Sequence, residues 1–83
     1  MRVLYFAWLR QKVGIAEEEV APPAEVRDVA GLIRWLATRS PAHATAFADP
    51  RQIRAAVNQD FATAAQPVAA NDEVAFFPPV TGG

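Results

Sequence analysis

The fold is decided by the stretch Asp28-Val29-Ala30-Gly31-Leu32-Ile33-Arg34-Trp35-Leu36. Its apolar residues recur at the spacing of one helix face, and Asp28 is a good N-cap in front of them. Trp35 lies at the margin of that face, and the helix should end before Ser40-Pro41. Because a helix with a single apolar stripe must cover one face of a sheet, the rest of the chain should supply strands.

Two strands are predicted before this helix. The β-branched and aromatic run Val3–Trp8 favours a buried strand, which is followed by a short helical stretch, Leu9–Val13, and a turn at Gly14. The glutamates that precede Ala21 predict a charged edge strand over Glu18–Ala21, which Pro22-Pro23 would stop.

The second half of the chain predicts one more helix and two more strands. Ser40-Pro41 resembles a helix start, so we expect a second short helix over Ala42–Ala48 with His43 exposed on it. Ile53–Val57 and Val74–Phe77 are predicted strands, and the segment between them is predicted to be irregular, with a short strand near Val68. The order strand, strand, helix, strand, strand predicts an α+β fold with a mixed sheet and one main helix packed on one face.

Composition excludes several classes of function. The 83 residues form one small domain, and that size argues against a self-contained enzyme with its own deep pocket. The net charge is -1 without a basic stripe, which argues against nucleic-acid binding. There is no cysteine and a single histidine, so we expect no metal site.

The N-terminal apolar run is too short for a targeting or membrane segment. Arg10 and Lys12 interrupt it well before the length of a signal peptide or a membrane span, and no small-residue cleavage site follows. We therefore expect a cytoplasmic protein that does not interact with membranes.

The end of the sequence carries the chemistry. An apolar strand leads through Pro78-Pro79 into Val80-Thr81-Gly82-Gly83, so we predict a folded domain over residues 1–77 and a flexible tail over 78–83. A glycine carboxylate has no Cβ crowding it, and the tail from Phe77 reaches about 20 Å at roughly 3.3 Å per residue. Such a tail suits a narrow active site of another protein.

Three local patterns carry a resemblance to a known family. They are Phe6-Ala7-Trp8-Leu9-Arg10 followed by Gly14, then Ala56-Val57-Asn58, and most specifically the ending Asp72-Glu73-Val74-Ala75-Phe76-Phe77-Pro78-Pro79-Val80-Thr81-Gly82-Gly83. The whole chain resembles the small, sulfur-carrier subunits of molybdopterin synthase, which are β-grasp proteins akin to ubiquitin.

The resemblance implies a cycle carried on Gly83, with Gly82 beside it. A ubiquitin-activating-type adenylyltransferase would use ATP to adenylate the carboxylate, and a sulfur donor protein would convert it to a thiocarboxylate. The large catalytic subunit of molybdopterin synthase would then receive the tail, in a heterotetramer, and the sulfur would attack a cyclic pyranopterin. The chain itself would be non-catalytic and bind no cofactor.

The residues expected to contact the partner are those that lead into the glycines: Phe76, Phe77, Pro78, Pro79, Val80 and Thr81. Because successive strand residues point to opposite faces, one of the two phenylalanines should enter the core and the other should face a partner.

Three alternatives remain at this point. The chain resembles carriers for thiamine or cysteine synthesis or tRNA thiolation equally in its terminal Gly-Gly, although Pro78-Pro79-Val80-Thr81 favours the molybdopterin member. A ubiquitin-like modifier would use the same activated Gly83 to form isopeptide bonds with lysines. A small interaction domain would have a tail without any role.

Overall fold

The computed structural model describes residues 1–79, and these form five strands and three helices. In chain order they are β1 (Arg2–Tyr5), α1 (Ala7–Val13), β2 (Glu17–Glu19), α2 (Val29–Leu36), α3 (Pro41–Ala46), β3 (Arg54–Val57), β4 (Asp60–Ala62) and β5 (Glu73–Phe77). A 3-10 turn at Pro50–Gln52 precedes β3.

The strands form a single mixed sheet in the order β2-β1-β5-β3-β4. β1 and β5 run parallel, whereas every other neighbouring pair is antiparallel. β5 therefore lies at the centre and is hydrogen-bonded on both sides, while β2 and β4 form the edges. With α2 packed on one face, this is the predicted β-grasp arrangement.

Helix α2 forms as its sequence predicts. The Asp28 side chain accepts a hydrogen bond from the Gly31 amide at 2.7 Å, which caps the first turn. The four residues of the apolar stripe are all buried, and Trp35 is half-buried at its margin. A Cβ on Gly31 would lie 3.1 Å from Asp28 Oδ1, so the glycine leaves room for the cap.

The first strand is shorter than predicted, because the chain turns before Trp8. β1 ends at Tyr5 and α1 begins at Ala7, which has a φ of 54°, so the predictions of a strand over Val3–Trp8 and of a helix starting at Leu9 were wrong in their bounds. α1 ends as expected at Gly14, which has a φ of 94° and donates its amide to the Arg10 carbonyl at 2.8 Å.

The edge strand β2 covers Glu17–Glu19, one residue earlier than predicted and shorter at its far end. Among residues 1–79 it pairs only with β1, and two of its three side chains are exposed. A charged, three-residue edge of this kind discourages pairing with another chain.

The core lies between the sheet and its helices. Alternate residues of the three central strands point to the helix side, where they meet α2, Leu9 of α1 and Phe47 at the end of α3. The strand residues on this inner face are Val3, Tyr5, Ala55, Val57, Val74 and Phe76.

The segment after β3 contains a hairpin that the sequence reasoning missed. Asn58 and Gln59 have φ values of 51° and 73°, which makes a two-residue turn, and Asp60–Ala62 then pairs back onto β3 as β4. The rest of the segment is irregular, as predicted, and in place of the short strand predicted near Val68 there is an isolated β-bridge between Pro67 and Asp28. The Val68 amide donates to the Arg27 carbonyl at 2.9 Å.

The second short helix is present, but His43 is not exposed on it. Ser40 caps α3, with Pro41 in its first turn, as predicted. His43 is only 8% exposed. Both nitrogens of its ring have partners, because Nδ1 lies 2.7 Å from Ser40 Oγ and Nε2 lies 2.7 Å from Glu18 Oε2. Glu18 reaches it because its partner in β1 is Val3, which places the glutamate on the inner side of the sheet.

The predicted division into a domain over 1–77 and a flexible tail over 78–83 stays a prediction. Strand β5 ends at Phe77, and Pro78 and Pro79 are both half-buried. Val80, Thr81, Gly82 and Gly83 lie outside the described residues.

Candidate functional site

The base of the tail is held by the central strand of the sheet. Within β5, Phe76 is opposite Tyr5 of β1 and opposite Ala55 of β3. The Phe76 carbonyl accepts a hydrogen bond from the Phe6 amide at 3.0 Å. Pro78 and Pro79 have no amide hydrogen to continue the ladder, so the strand stops where they begin.

Phe76 anchors this strand in the core. Its side chain is 0% exposed and meets Phe47 edge to face, with ring centroids 5.2 Å apart. One of the two phenylalanines does enter the core, as the alternation predicts, and it is Phe76. The side chain of Phe76 therefore has no surface left for a partner.

Phe77 lies on the opposite face of the sheet, which no helix of the described part of the chain covers. It is half-buried, and its ring meets that of Phe61 at a centroid distance of 5.9 Å. Phe61 projects from the edge strand β4 and is 86% exposed. Phe77 thus presents part of its ring on an open face, where a partner has access to it.

A third aromatic side chain lies at the same end of this open face. Phe6 follows β1 in an extended conformation, so it continues the alternation of that strand onto the open face, where it is 48% exposed. We call Phe6, Phe61 and Phe77 the aromatic patch. The smaller residues Leu4, Ala56 and Ala75 lie beside it on the three central strands.

The far end of the open face is charged rather than apolar. Arg2 lies opposite Glu73 of β5 and pairs with Glu17 of β2 at 2.7 Å. Large exposed aromatic side chains that lie together are uncommon on a small monomer and mark interaction sites. The open face therefore offers an apolar contact surface at the end from which the tail leaves.

Sequence reasoning missed two members of the patch. Phe61 fell in a segment predicted to be irregular, and Phe6 was assigned to a longer strand. An available signal was Asn58-Gln59 between Val57 and Asp60, because asparagine favours the positive φ of a two-residue hairpin turn. Such a turn makes Phe61 a neighbour of Ala56 and hence of β5.

A separate polar cluster lies on the inner side of β1. The Tyr5 hydroxyl donates to Glu18 Oε2 at 2.6 Å, and the same oxygen is 2.7 Å from His43 Nε2. Burial, followed by the Glu18 carboxylate, raises the pKa of Tyr5. Burial alone would raise the pKa of Glu18, but hydrogen bonds from Tyr5 and His43, with Arg39 nearby, outweigh it and lower that pKa. These polar atoms satisfy one another, so the cluster serves the fold.

The described residues offer no candidate metal centre. Across residues 1–79 there is no group of three or more His, Cys, Asp or Glu side chains placed to hold an ion. Within the same range, each helix falls short of the length and apolar character that crossing a bilayer requires.

The predicted reactive residues, Gly83 and Gly82, and the predicted contact residues Val80 and Thr81 lie outside the described part of the chain. Their roles stay predictions. What the structure places is the strand that precedes them, together with Pro78 and Pro79, at the apolar end of the open face.

Comparisons with known proteins identify the family. Residues 3–83 match the ThiS family. The chain is 43% identical, over its full length and 99% of the relative, to the molybdopterin synthase sulfur carrier subunit of Escherichia coli (strain K12).

Two solved structures share the fold. SAMP1 from Haloferax volcanii has a TM-score of 0.74 at 27% identity, with 100% of this chain and 98% of that one covered. A putative molybdopterin converting factor, subunit 1, from Pyrococcus furiosus has a TM-score of 0.75 at 31% identity, with 95% of both chains covered. Because residues 3–83 match the family model and the sheet has the β-grasp arrangement, the chain belongs to the ThiS family of ubiquitin-like proteins.

Proposed function

We propose that this chain is a sulfur carrier in molybdopterin synthesis and that the Gly83 carboxylate is the group that carries the sulfur. The observation that carries the proposal is the 43% identity, over the full chain, to a relative named as the molybdopterin synthase sulfur carrier subunit. The two glycines that close the sequence are the residue type the chemistry needs, because no side chain crowds the carboxylate.

The central position of β5 supports a carrier role. A strand paired on both sides, with Phe76 wholly buried, fixes the point at which the tail leaves the domain. The seven residues from Phe77 to Gly83 then span about 20 Å when extended. Docking of the rigid domain would therefore place the last glycine at a set depth inside another protein's cleft.

The loading chemistry has three steps. A carboxylate oxygen of Gly83 attacks the α-phosphorus of ATP on the adenylyltransferase, and pyrophosphate leaves. A persulfide of the sulfur donor protein then attacks the acyl carbon with its outer sulfur, AMP leaves, and an acyl disulfide forms. A thiol attacks the donor-side sulfur of that disulfide, which releases the Gly83 thiocarboxylate and leaves the donor and the thiol joined in a disulfide. ATP is thus consumed by the activating enzyme, and no cofactor is held by this chain.

Delivery would take place in the large catalytic subunit of molybdopterin synthase. The thiocarboxylate sulfur is a strong nucleophile at neutral pH and would attack cyclic pyranopterin monophosphate, so that the chain acts as the sulfur-donating subunit of a heteromeric sulfurtransferase. Holding the sulfur on a protein keeps it at the reacting centre. The acids, bases and anion-binding groups would belong to the large subunit, in a cytoplasmic heterotetramer.

The aromatic patch is the surface we assign to docking of that subunit. Aromatic side chains at the centre of an interface contribute a large share of binding free energy. Phe61→Ser should leave the fold intact, because the ring is 86% exposed, yet weaken binding of the large subunit at least tenfold. Thr45→Ser, a change at an exposed site on α3 and so on the other side of the sheet, is the matched control.

The test of the carrier function uses the purified chain, the activating enzyme, ATP and a sulfur donor. Intact-protein mass spectrometry should show oxygen replaced by sulfur at the last residue. A chain extended by one residue past Gly83 should stay unmodified while still binding the large subunit. Failure of the native chain to gain sulfur, under conditions in which the Escherichia coli relative does, would refute the proposal.

The likeness to SAMP1, the small archaeal modifier protein 1 of Haloferax volcanii, favours a second candidate function. A ubiquitin-like modifier would transfer the same activated Gly83 acyl group to a lysine amine, with AMP leaving. Stable lysine conjugates of this chain in extracts, dependent on Gly83 and the activating enzyme, would support that function. Carriers for other sulfur pathways remain a variant of the first candidate.

A further inference from the structure

Arg54 borders the apolar end of the open face, beside the point where the tail leaves. It lies opposite Phe77 in the antiparallel pair of β3 and β5, and paired residues of such strands point to the same face. The Arg54 side chain is exposed, and Phe77 belongs to the aromatic patch. A cation therefore lies next to the surface that we assign to docking of the large subunit.

The positive charge of Arg54 is not balanced within the described part of the chain. Among residues 1–79, Arg54 forms no ion pair. Asp49, the acidic residue nearest to it in sequence, binds Arg51 instead, at 3.0 and 3.3 Å. The next carboxylate along β5 on this face is that of Glu73, about 13 Å from Phe77 at roughly 3.3 Å per residue. That separation exceeds the screening length of about 8 Å at physiological ionic strength, so Glu73 does not compensate Arg54.

The Arg54 guanidinium is held in place and still has donors to offer. Both of its hydrogen bonds come from Nη1, which donates to the carbonyls of Arg51 and Ile53 at 3.1 and 3.2 Å. Within residues 1–79, Nε and Nη2 form no hydrogen bond, and these two atoms carry most of the N–H donors of the side chain. A carboxylate can bind this edge through two parallel hydrogen bonds. Because the side chain is already ordered, such binding costs less entropy.

We propose that Arg54 is a specificity-determining residue for docking, and that it binds a carboxylate of the large subunit at the entrance of the cleft that receives the tail. A protein that covers the aromatic patch also covers Arg54, because Arg54 and Phe77 are neighbours. A covered cation without a partner is costly, so a surface with an acidic side chain at this point is favoured over one without it. The identity of the partner rests on the proposed function.

Arg54 acts in docking and not in the chemistry at the last residue. The tail from Phe77 to Gly83 spans about 20 Å when extended. A group at the base of the tail is therefore at the entrance of the cleft when the reacting carboxylate is at its end. The anion that meets Arg54 is a side chain of the partner's surface, because a phosphate of ATP or of the pterin lies at the far end of the tail.

The test is a calorimetric titration of the full chain with the purified large subunit, at about 0.15 M and about 1 M salt. Arg54→Gln should weaken binding about tenfold at the lower salt concentration. That factor should fall below about threefold at the higher one, because salt screens an ion pair. Arg34→Gln is the matched control, since it removes the same charge from an exposed site on α2, across the sheet. It should change the Kd by less than about twofold.

Two further measurements identify the interaction as an ion pair. Arg54→Lys should restore part of the binding, because it keeps the charge but lacks the planar edge. Replacing the acidic residues of the large subunit one at a time should identify one whose loss leaves Arg54→Gln without a further effect. Thermal unfolding of each Arg54 variant should match that of the native chain, since the side chain is exposed.

Three results would overturn the inference. They are binding of Arg54→Gln within about twofold of the native chain at the lower salt concentration, an equal loss for Arg34→Gln, and a loss for Arg54→Gln that is the same at both salt concentrations. In each case the native chain still binds the large subunit, so the proposed function stands. Absence of binding by the native chain would overturn both.

Discussion

The hydroxyl of Tyr5 should make a measurable contribution to stability, because it is a buried donor to a carboxylate. Tyr5 is 1% exposed and donates to Glu18 Oε2 at 2.6 Å. A hydrogen bond to a charged group contributes about 1.5–3 kcal/mol. Tyr5→Phe removes the hydroxyl and keeps the ring, so we expect a loss of about 2 kcal/mol in the free energy of unfolding at pH 7.

For a domain of this size, that loss corresponds to a fall in Tm of roughly 8–16 °C. Chemical denaturation of the wild type, Tyr5→Phe, Glu18→Gln and the double variant measures the coupling between the two side chains. We expect a coupling free energy of about 1 kcal/mol or more, because the two groups are in direct contact.

The pH dependence gives an independent check. The pKa of Tyr5 is raised in the folded chain, so stability is intact below the ordinary tyrosine pKa of 10.0 and is lost as the pH rises above it. The slope should approach about 1.4 kcal/mol per pH unit. Tyr5→Phe should lack this alkaline loss, and because Tyr5 is the chain's single tyrosine, tyrosinate absorbance reports it directly.

At acid pH, stability depends on pH in the opposite direction, through the carboxylate of Glu18. The pKa of Glu18 is lowered in the folded chain, so its contribution is present above the ordinary value of 4.5 and is lost as the pH falls through the folded pKa. The difference in the free energy of unfolding between wild type and Tyr5→Phe should therefore become smaller as the pH falls through the folded pKa of Glu18. Two results would refute the reasoning. One is a free energy of unfolding of Tyr5→Phe within about 0.5 kcal/mol of wild type at pH 7, which is about the error of such measurements. The other is a Tyr5→Phe variant that loses stability at alkaline pH as the wild type does.

Three further changes are expected to alter stability, each measured by chemical denaturation. Phe76→Ala should lower the free energy of unfolding by about 3–5 kcal/mol, because it leaves a cavity against Phe47. Phe77 is half-buried, so Phe77→Ala should lower it far less. Equal losses would contradict the assignment of the two side chains to opposite faces. Ser40→Ala should cost at least about 1 kcal/mol, because it removes both the α3 cap and the partner of the buried His43 Nδ1, and Ser40→Asn should restore most of the cap contribution. Gly14→Ala should cost about 1 kcal/mol or more, because alanine is strained at a φ of 94°, while Ala16→Gly nearby should not show such strain.

The local signals in the sequence were enough for the central part of the fold. The Asp28 cap and the apolar stripe of α2 are contained in nine consecutive residues, and β5 is an apolar run between two turn signals. Both elements were therefore predictable. The pairing of β5 with β1 was not predicted, since no local pattern specifies a partner strand.

The errors arose where structure depends on distant residues or on an unusual backbone conformation. Nothing local announces that Ala7 adopts a φ of 54° and ends the strand before Trp8. His43 is buried because Glu18, which lies 25 residues earlier, reaches it from β2. The alanine-rich stretch after Asn58 has weak strand propensity, so the hairpin that exposes Phe61 was missed.

The placement of β5 between β1 and β3 also has a consequence for biosynthesis. β5 is translated after the other four strands, and without it the described sheet is reduced to two separate antiparallel strand pairs, β1–β2 and β3–β4. Two-stranded hairpins are at best marginally stable alone. A nascent chain therefore cannot complete its fold until β5 has emerged from the ribosome, so prematurely terminated products would remain unfolded and open to proteolysis instead of competing for docking partners.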